Sequence, residues 1–238
     1  MDYIDIYRKR LNRYGLDYQS RVQEQRDRNF ESYLLKSIYR VDFWYDNTFV
    51  PATLEQYKQD ATETQCYLLT PRETIIPNGT IIMVESRDGS EKPWMVWWKE
   101  ETEASGYNTY VVLKMTHFLS WRDSFGSLHE QWSFFSGPGQ ALISDTIKSA
   151  SGEAIFKQNE NLHTIITPYH KDLVRDTYFE ISYKDTTSGY VITGVDVNST
   201  QGVSYVTVDP AQLRDVSIKD AGAQYSSSAK QYWLGGGN

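Results

Sequence analysis

Asn108-Thr-Tyr-Val-Val-Leu-Lys-Met-Thr-His-Phe-Leu-Ser-Trp-Arg-Asp-Ser-Phe-Gly126 decides the fold. Its first half is rich in β-branched and aromatic residues, and Trp121-Arg-Asp-Ser-Phe-Gly126 has the composition of a strand end entering a turn. Upstream, Val41-Asp-Phe-Trp-Tyr, Thr64-Gln-Cys-Tyr-Leu-Leu, Thr80-Ile-Ile-Met-Val and Trp94-Met-Val-Trp-Trp repeat the pattern. Downstream, Glu130-Gln-Trp-Ser-Phe-Phe, Thr177-Tyr-Phe-Glu-Ile-Ser-Tyr, Gly189-Tyr-Val-Ile-Thr-Gly-Val-Asp-Val and Val203-Ser-Tyr-Val-Thr-Val-Asp do the same. Turn residues separate these runs: Pro51, Pro71, Pro77-Asn78-Gly79, Asp88-Gly89-Ser90, Ser105-Gly106 and Gly137-Pro-Gly139. Short strands closely spaced by turns predict a mainly β body, a barrel or sandwich.

Two three-strand passages echo each other. One runs through Gly79-Thr-Ile-Ile-Met-Val, Trp94-Met-Val-Trp-Trp and Tyr107-Asn-Thr-Tyr-Val-Val-Leu. The other runs through Asp176-Thr-Tyr-Phe-Glu-Ile, Gly189-Tyr-Val-Ile-Thr-Gly and Gly202-Val-Ser-Tyr-Val-Thr-Val. Generic meanders produce such an echo, and so does a body of two related β units.

Before the strands the spacing is helical. Tyr3, Ile6, Tyr7, Arg10, Leu11 and Tyr14 fall three to four apart, Gly15 interrupts, and Asp17 reads as the N-cap of a second helix carrying Val22, Phe30, Tyr33 and Leu34. Amphipathic helices this short must dock on the body or on another chain. The expected division is therefore 1–38 helical, 39–136 a first β-barrel unit, 137–166 a loop or insertion, 167–220 a second β unit, and 221–238 a flexible Ser/Gly-rich tail.

Charge narrows the function classes. The net charge of −7 is against wholesale nucleic-acid binding. It is unevenly spread: residues 1–40 hold nine basic and six acidic groups, and the other 198 hold 15 basic against 25 acidic. A basic end on an acidic body suits one polar docking surface, although a solvated helix face of mixed charge accounts for the same residues. The aromatic fraction is 14%, with 18 Tyr and 7 Trp, a composition that suits sheets and interfaces. A single cysteine, Cys66, forms no intramolecular disulfide and reads as a buried strand residue without activation. No run approaches the roughly 18 apolar residues of a membrane span, and the N-terminus has no signal-peptide pattern, so synthesis and folding in the cytoplasm are expected.

Signatures of catalysis are missing. Phosphate loops and Gly-x-Ser-x-Gly are absent, and His117, His129, His163 and His170 lack metal-ligand spacing. His163 and His170, seven apart near Pro168, read as loop histidines rather than ligands. Glu100, Glu101 and Glu103 beside Trp97 and Trp98 have the residue types of a glycosidase, but an acidic loop next to core tryptophans explains them equally. The expectation is a protein without enzymatic activity, cofactor or metal.

The order of these features resembles the head-closure, or stopper, proteins of the head-tail connector in long-tailed bacteriophages. The likeness is carried by the basic helix Tyr7-Arg-Lys-Arg-Leu-Asn-Arg-Tyr-Gly15, by Phe30-Glu-Ser-Tyr-Leu-Leu-Lys-Ser, and by Gly79-Thr-Ile-Ile-Met-Val with Trp94-Met-Val. The strand leading to the Leu-x-Trp-x-Asp-x-x-Gly turn at Leu119–Gly126 and the second β passage complete it. Minimal stoppers are single barrels about half this length, so the resemblance implies an elaborated stopper, a neck protein of another layer, or a tail-tube-proximal adaptor. It also implies a virion protein assembled in the host cytoplasm. That protein would form a homo-oligomeric ring, with portal or adaptor on one side, tail terminator or tail tube on the other, and packaged DNA in the channel. Arg8, Lys9, Arg10 and Arg13 are the expected docking residues. A β-sandwich carbohydrate- or receptor-binding module of a phage tail is the alternative, with surface Trp and Tyr as a stacking platform.

Overall fold

The structure is a computed structural model that describes residues 3, 4, 7, 18–56, 64–85, 89–100, 106–136, 163–183, 186–213 and 218. The chain is mainly β, with a helix followed by two six-stranded units.

Helix α1 (Tyr18–Lys36) is polar over most of its surface and carries i,i+4 pairs, including Arg28 to Glu24 at 2.6 Å and Gln23 to Asp27 at 2.7 Å. Its docking side is narrow. Phe30 and Leu34 are buried, and Phe30 stacks on Tyr107 with ring centroids 4.9 Å apart. Gly106 makes the approach possible, because a Cβ there would lie 2.6 Å from the carbonyl carbon of Arg26. The sequence presents Gly106 as turn punctuation, whereas its role is to let a helix backbone rest against the start of a strand.

The first six-stranded sheet holds β1 (Arg40–Tyr45), β2 (Thr48–Gln56), β3 (Gln65–Pro71), β4 (Ile81–Glu85), β5 (Glu91–Glu100) and β6 (Tyr107–Lys114), in the order β1-β2-β3-β6-β5-β4. Asp46 and Asn47 join β1 to β2 with φ of 48° and 58°, a two-residue turn whose twist matches the paired strands. Strand β2 has no counterpart in the sequence reading, because Pro51 reads as a break. Proline is tolerated here since β3 pairs with β2 only over Thr53–Gln56, leaving Pro51 with one paired flank opposite Asp42. The segment after β3 is pinned to β6: Asn108 Nδ2 donates to the carbonyls of Arg72 (2.9 Å) and Thr74 (2.8 Å), and the Tyr110 hydroxyl accepts from Ile76 N–H.

The second unit is a closed antiparallel barrel. It contains β7 (His117–Arg122), β8 (Leu128–Ser136), β9 (His163–Pro168), β10 (Tyr178–Tyr183), β11 (Thr186–Asp196) and β12 (Val203–Ala211), in the order β10-β11-β12-β9-β8-β7. Its core gathers Leu119, Trp121, Ile165, Phe179, Ile192 and Val206. Strands β7 and β8, placed by sequence in the unit ending at 136, pair inside this barrel. The last change of unit falls between Val112 and Leu113, inside a strand run that carries no proline or glycine to mark it. Strand β9 falls in what the sequence suggests is an insertion; its apolar run is only Ile165-Ile166, buried on both faces. Residues 77–81 and 93–97 cluster with this second unit. There the Trp97 indole donates to the Tyr205 hydroxyl at 2.7 Å, and that hydroxyl also lies 2.8 Å from Thr200 Oγ1.

Ile218 is fully buried on the barrel. Its N–H donates to Glu180 Oε1 (3.1 Å), and its carbonyl accepts from Arg122 Nε (3.0 Å). Among the described residues no helix is long and apolar enough to cross a membrane.

Candidate functional site

Within the first unit, the β1–β2 hairpin presents large apolar side chains on the outside. Period-two alternation sends Phe43, Val50 and Ala52 into the core and leaves Trp44 and Phe49 facing out. These two are direct cross-strand partners, packed edge to face with centroids 5.6 Å apart, yet 68% and 56% exposed. Strand β1 is also the end of its sheet, so its outer backbone edge has no neighbour among the described strands. The end of α1 and the link beyond it add exposed Leu35, Ile38 and Tyr39. An exposed aromatic pair on an edge strand has the composition of an interface core.

Beside α1 lies a cavity of about 460 Å³ lined by Arg26, Phe30, Tyr33, Glu55, Leu69 and Tyr107. The Tyr33 hydroxyl donates to Glu55 Oε1 at 2.6 Å, and Thr53 Oγ1 donates to the same oxygen. That bond to a carboxylate, with burial, raises the Tyr33 phenol above its ordinary value.

In the barrel, Arg122, Asp123, Lys171, Asp172, Arg175 and Asp176 border a second, polar cavity of about 210 Å³. Asp123 and Asp172 of this lining contact His129 and His170, whose rings lie 4.6 Å apart. Burial, with the neighbouring His129, lowers the His170 pKa.

Of the residues singled out by sequence, Arg8, Lys9, Arg10 and Arg13 lie outside the described residues, as do Asp17, Glu101 and Glu103. Glu100 ends β5 and accepts a hydrogen bond from the Tyr67 hydroxyl at 3.2 Å. Trp97 is fully buried, the last of five consecutive buried residues in β5, and Trp98 is half-buried; they form no tandem stacking platform. Cys66 is half-buried in β3, where full burial was expected. His163 lies in β9 opposite Val208 rather than in a loop. His170 meets His129, 41 positions earlier, a pairing without any signal in the spacing. The Trp44–Phe49 pair was half legible: Trp44 stands in a strand run, but its partner lay in the strand that Pro51 concealed.

No known family model and no curated protein matches the sequence. Among solved structures, the chain is similar to MrkH of K. pneumonia, with 11% identity over 81% of this chain and 85% of that one, at a TM-score of 0.26. The MrkH–c-di-GMP complex matches at 10% identity over 90% and 95%, with a TM-score of 0.25. The Bacillus subtilis inhibitor of motility MotI/DgrA matches at 7% over 82% and 91%, with a TM-score of 0.24. TM-scores this low carry no inference about function.

Proposed function

We propose that this chain is a structural protein of the bacteriophage neck. Copies form a ring between portal and tail, close the DNA-filled head and join it to the tail, without catalysis. The observation that carries the reading is the β1–β2 hairpin, whose Trp44–Phe49 pair and open strand edge suit contact with a neighbouring copy. Burying each aromatic contributes about 1.5–3 kcal/mol, and every junction around a ring repeats the gain. The order of sequence features supplies the setting. The basic run Arg8, Lys9, Arg10 and Arg13 is proposed to meet the portal or adaptor, and an acidic body that does not grip DNA suits a channel wall.

The test is the mass and electron-microscopic appearance of the protein mixed with portal and tail components, for wild type and Trp44→Ser/Phe49→Ser. Wild type should join a ring-shaped complex. The double variant should assemble at least tenfold more weakly while remaining folded, losing only the modest stability of one exposed cross-strand pair. A wild type that ignores both partners and instead binds glycans through Trp44 would replace this reading with the tail receptor-binding one.

A further inference from the structure

We infer that His129, His170 and Asp172 form a binding site for one divalent transition-metal ion of the zinc or cobalt type, which ties β8 to the β9–β10 connection. One ligand-capable atom from each of the three lies within 4.8 Å of the others, and all three residues are partly buried. Two imidazoles and a carboxylate form a nitrogen–oxygen set that suits zinc and cobalt, and a small inward movement brings such atoms to the 2.0–2.2 Å of zinc coordination.

The surroundings prepare these groups. Asp123 closes the β7–β8 turn, its Oδ1 accepting the N–H groups of Phe125 (2.8 Å) and Ser127 (2.9 Å). Its Oδ2 then faces His129 Nε2 at 3.0 Å. A carboxylate only accepts, so Nε2 carries a proton, and in the neutral ring Nδ1 is the nitrogen with the lone pair. This is the carboxylate–histidine arrangement that orients metal-binding imidazoles. His170 Nδ1 accepts the Asp172 N–H at 3.3 Å and lies 3.8 Å from Asp172 Oδ2, so metal binding through Nδ1 replaces that long backbone hydrogen bond. Among the described residues neither ring hydrogen-bonds the other. The Trp121 ring stacks on His129 at 5.3 Å and meets His170 edge-on at 4.9 Å, an apolar wall that holds both rings in place.

The nearby cations do not occupy the position. Arg122 is committed to the carbonyls of Ile218 and Gly126, and Lys171 lies beside His170 in sequence without a described bond to Asp172. Two imidazoles and a carboxylate thus converge within ligand reach of one ion.

The experiment is titration of the metal-stripped full-length protein with Co²⁺, followed by visible absorption and displacement by Zn²⁺. Wild type should bind one Co²⁺ per chain with ligand-field bands, and Zn²⁺ should raise its melting temperature. His170→Ala and Asp172→Asn should each weaken binding at least tenfold and abolish the melting shift. Asp123→Asn should weaken it roughly 10- to 100-fold with all three ligands in place. Circular dichroism of each variant reports folding independently. Binding in wild type no tighter than in a folded His129→Ala/His170→Ala protein would overturn the site, as would bands that survive His170→Ala.

Discussion

Gly79 and Gly202 meet where no side chain fits. Both adopt positive φ, 82° and 83°, and a Cβ on Gly79 would lie 2.0 Å from the Gly202 carbonyl oxygen. A Cβ on Gly202 would lie 2.3 Å from the Asn78 carbonyl oxygen. Gly89 has a similar φ, 77°, but open space around it. The three positions therefore separate backbone strain from collision. Gly89→Ala should cost about 1–2 kcal/mol from the left-handed conformation alone, while Gly79→Ala and Gly202→Ala should each cost more, above roughly 3 kcal/mol. Urea unfolding of the three variants checks this; equal losses would mean that the close approach is not formed. Pro77-Asn78-Gly79 was readable as a turn. Its encounter with a glycine 123 positions later was not, because a contact leaves no mark on either local pattern.

At the level of elements, the strands most readable in the sequence are those whose aromatic and β-branched residues run unbroken, such as β5 and β6. The hydrogen bond from Trp97 in β5 to Tyr205 in β12 offers a measure of what those aromatics contribute. Tyr205 is almost fully buried, and burial raises its phenol above the ordinary value, so the hydroxyl stays protonated and shared between Trp97 and Thr200. Tyr205→Phe removes the acceptor of a buried indole N–H and should cost about 1–3 kcal/mol. In a Trp97→Phe background the same change should cost measurably less, and a double-mutant cycle without coupling would contradict the bond. Strands β2 and β9 were hidden for opposite reasons. In β2, a proline that signals a break sits in a position with one paired flank; in β9, two isoleucines between threonines are too few to show a period. Helix α1 was legible from Phe30 and Leu34.

For the whole molecule, stability should depend on acidity in two steps. Burial lowers the His117 pKa below its ordinary 6.5. As pH falls below that value the unfolded chain takes up a proton that the folded chain refuses, and stability declines until the folded value is reached. Asp196 gives the second step. Burial opposes its charge, but hydrogen bonds from the Ser199 hydroxyl and the N–H groups of Asn198 and Ser199 outweigh it, so its pKa lies below the ordinary 3.8. Its contribution is complete above that pH and is lost on acidification through the folded value. Melting curves from pH 8 to 2.5 should show both declines. His117→Phe should remove its share of the first and Asp196→Asn its share of the second; an unchanged profile in both variants would contradict the assignment. Neither step was readable from sequence, since it depends on what folding packs around each side chain.

The chain passes between its two compact units five times, at 76/77, 81/82, 92/93, 97/98 and 112/113. Inheritance follows from this. No single crossover in the gene can move one unit without the other, because Trp97 travels with the upstream half while Tyr205, its hydrogen-bond partner, travels with the downstream half. A recombinant joined at any point between them receives half of a mismatched pair. The ribosome also releases Trp97 108 residues before that partner exists. Variation in such a gene should therefore accumulate by substitution within strands rather than by shuffling of units.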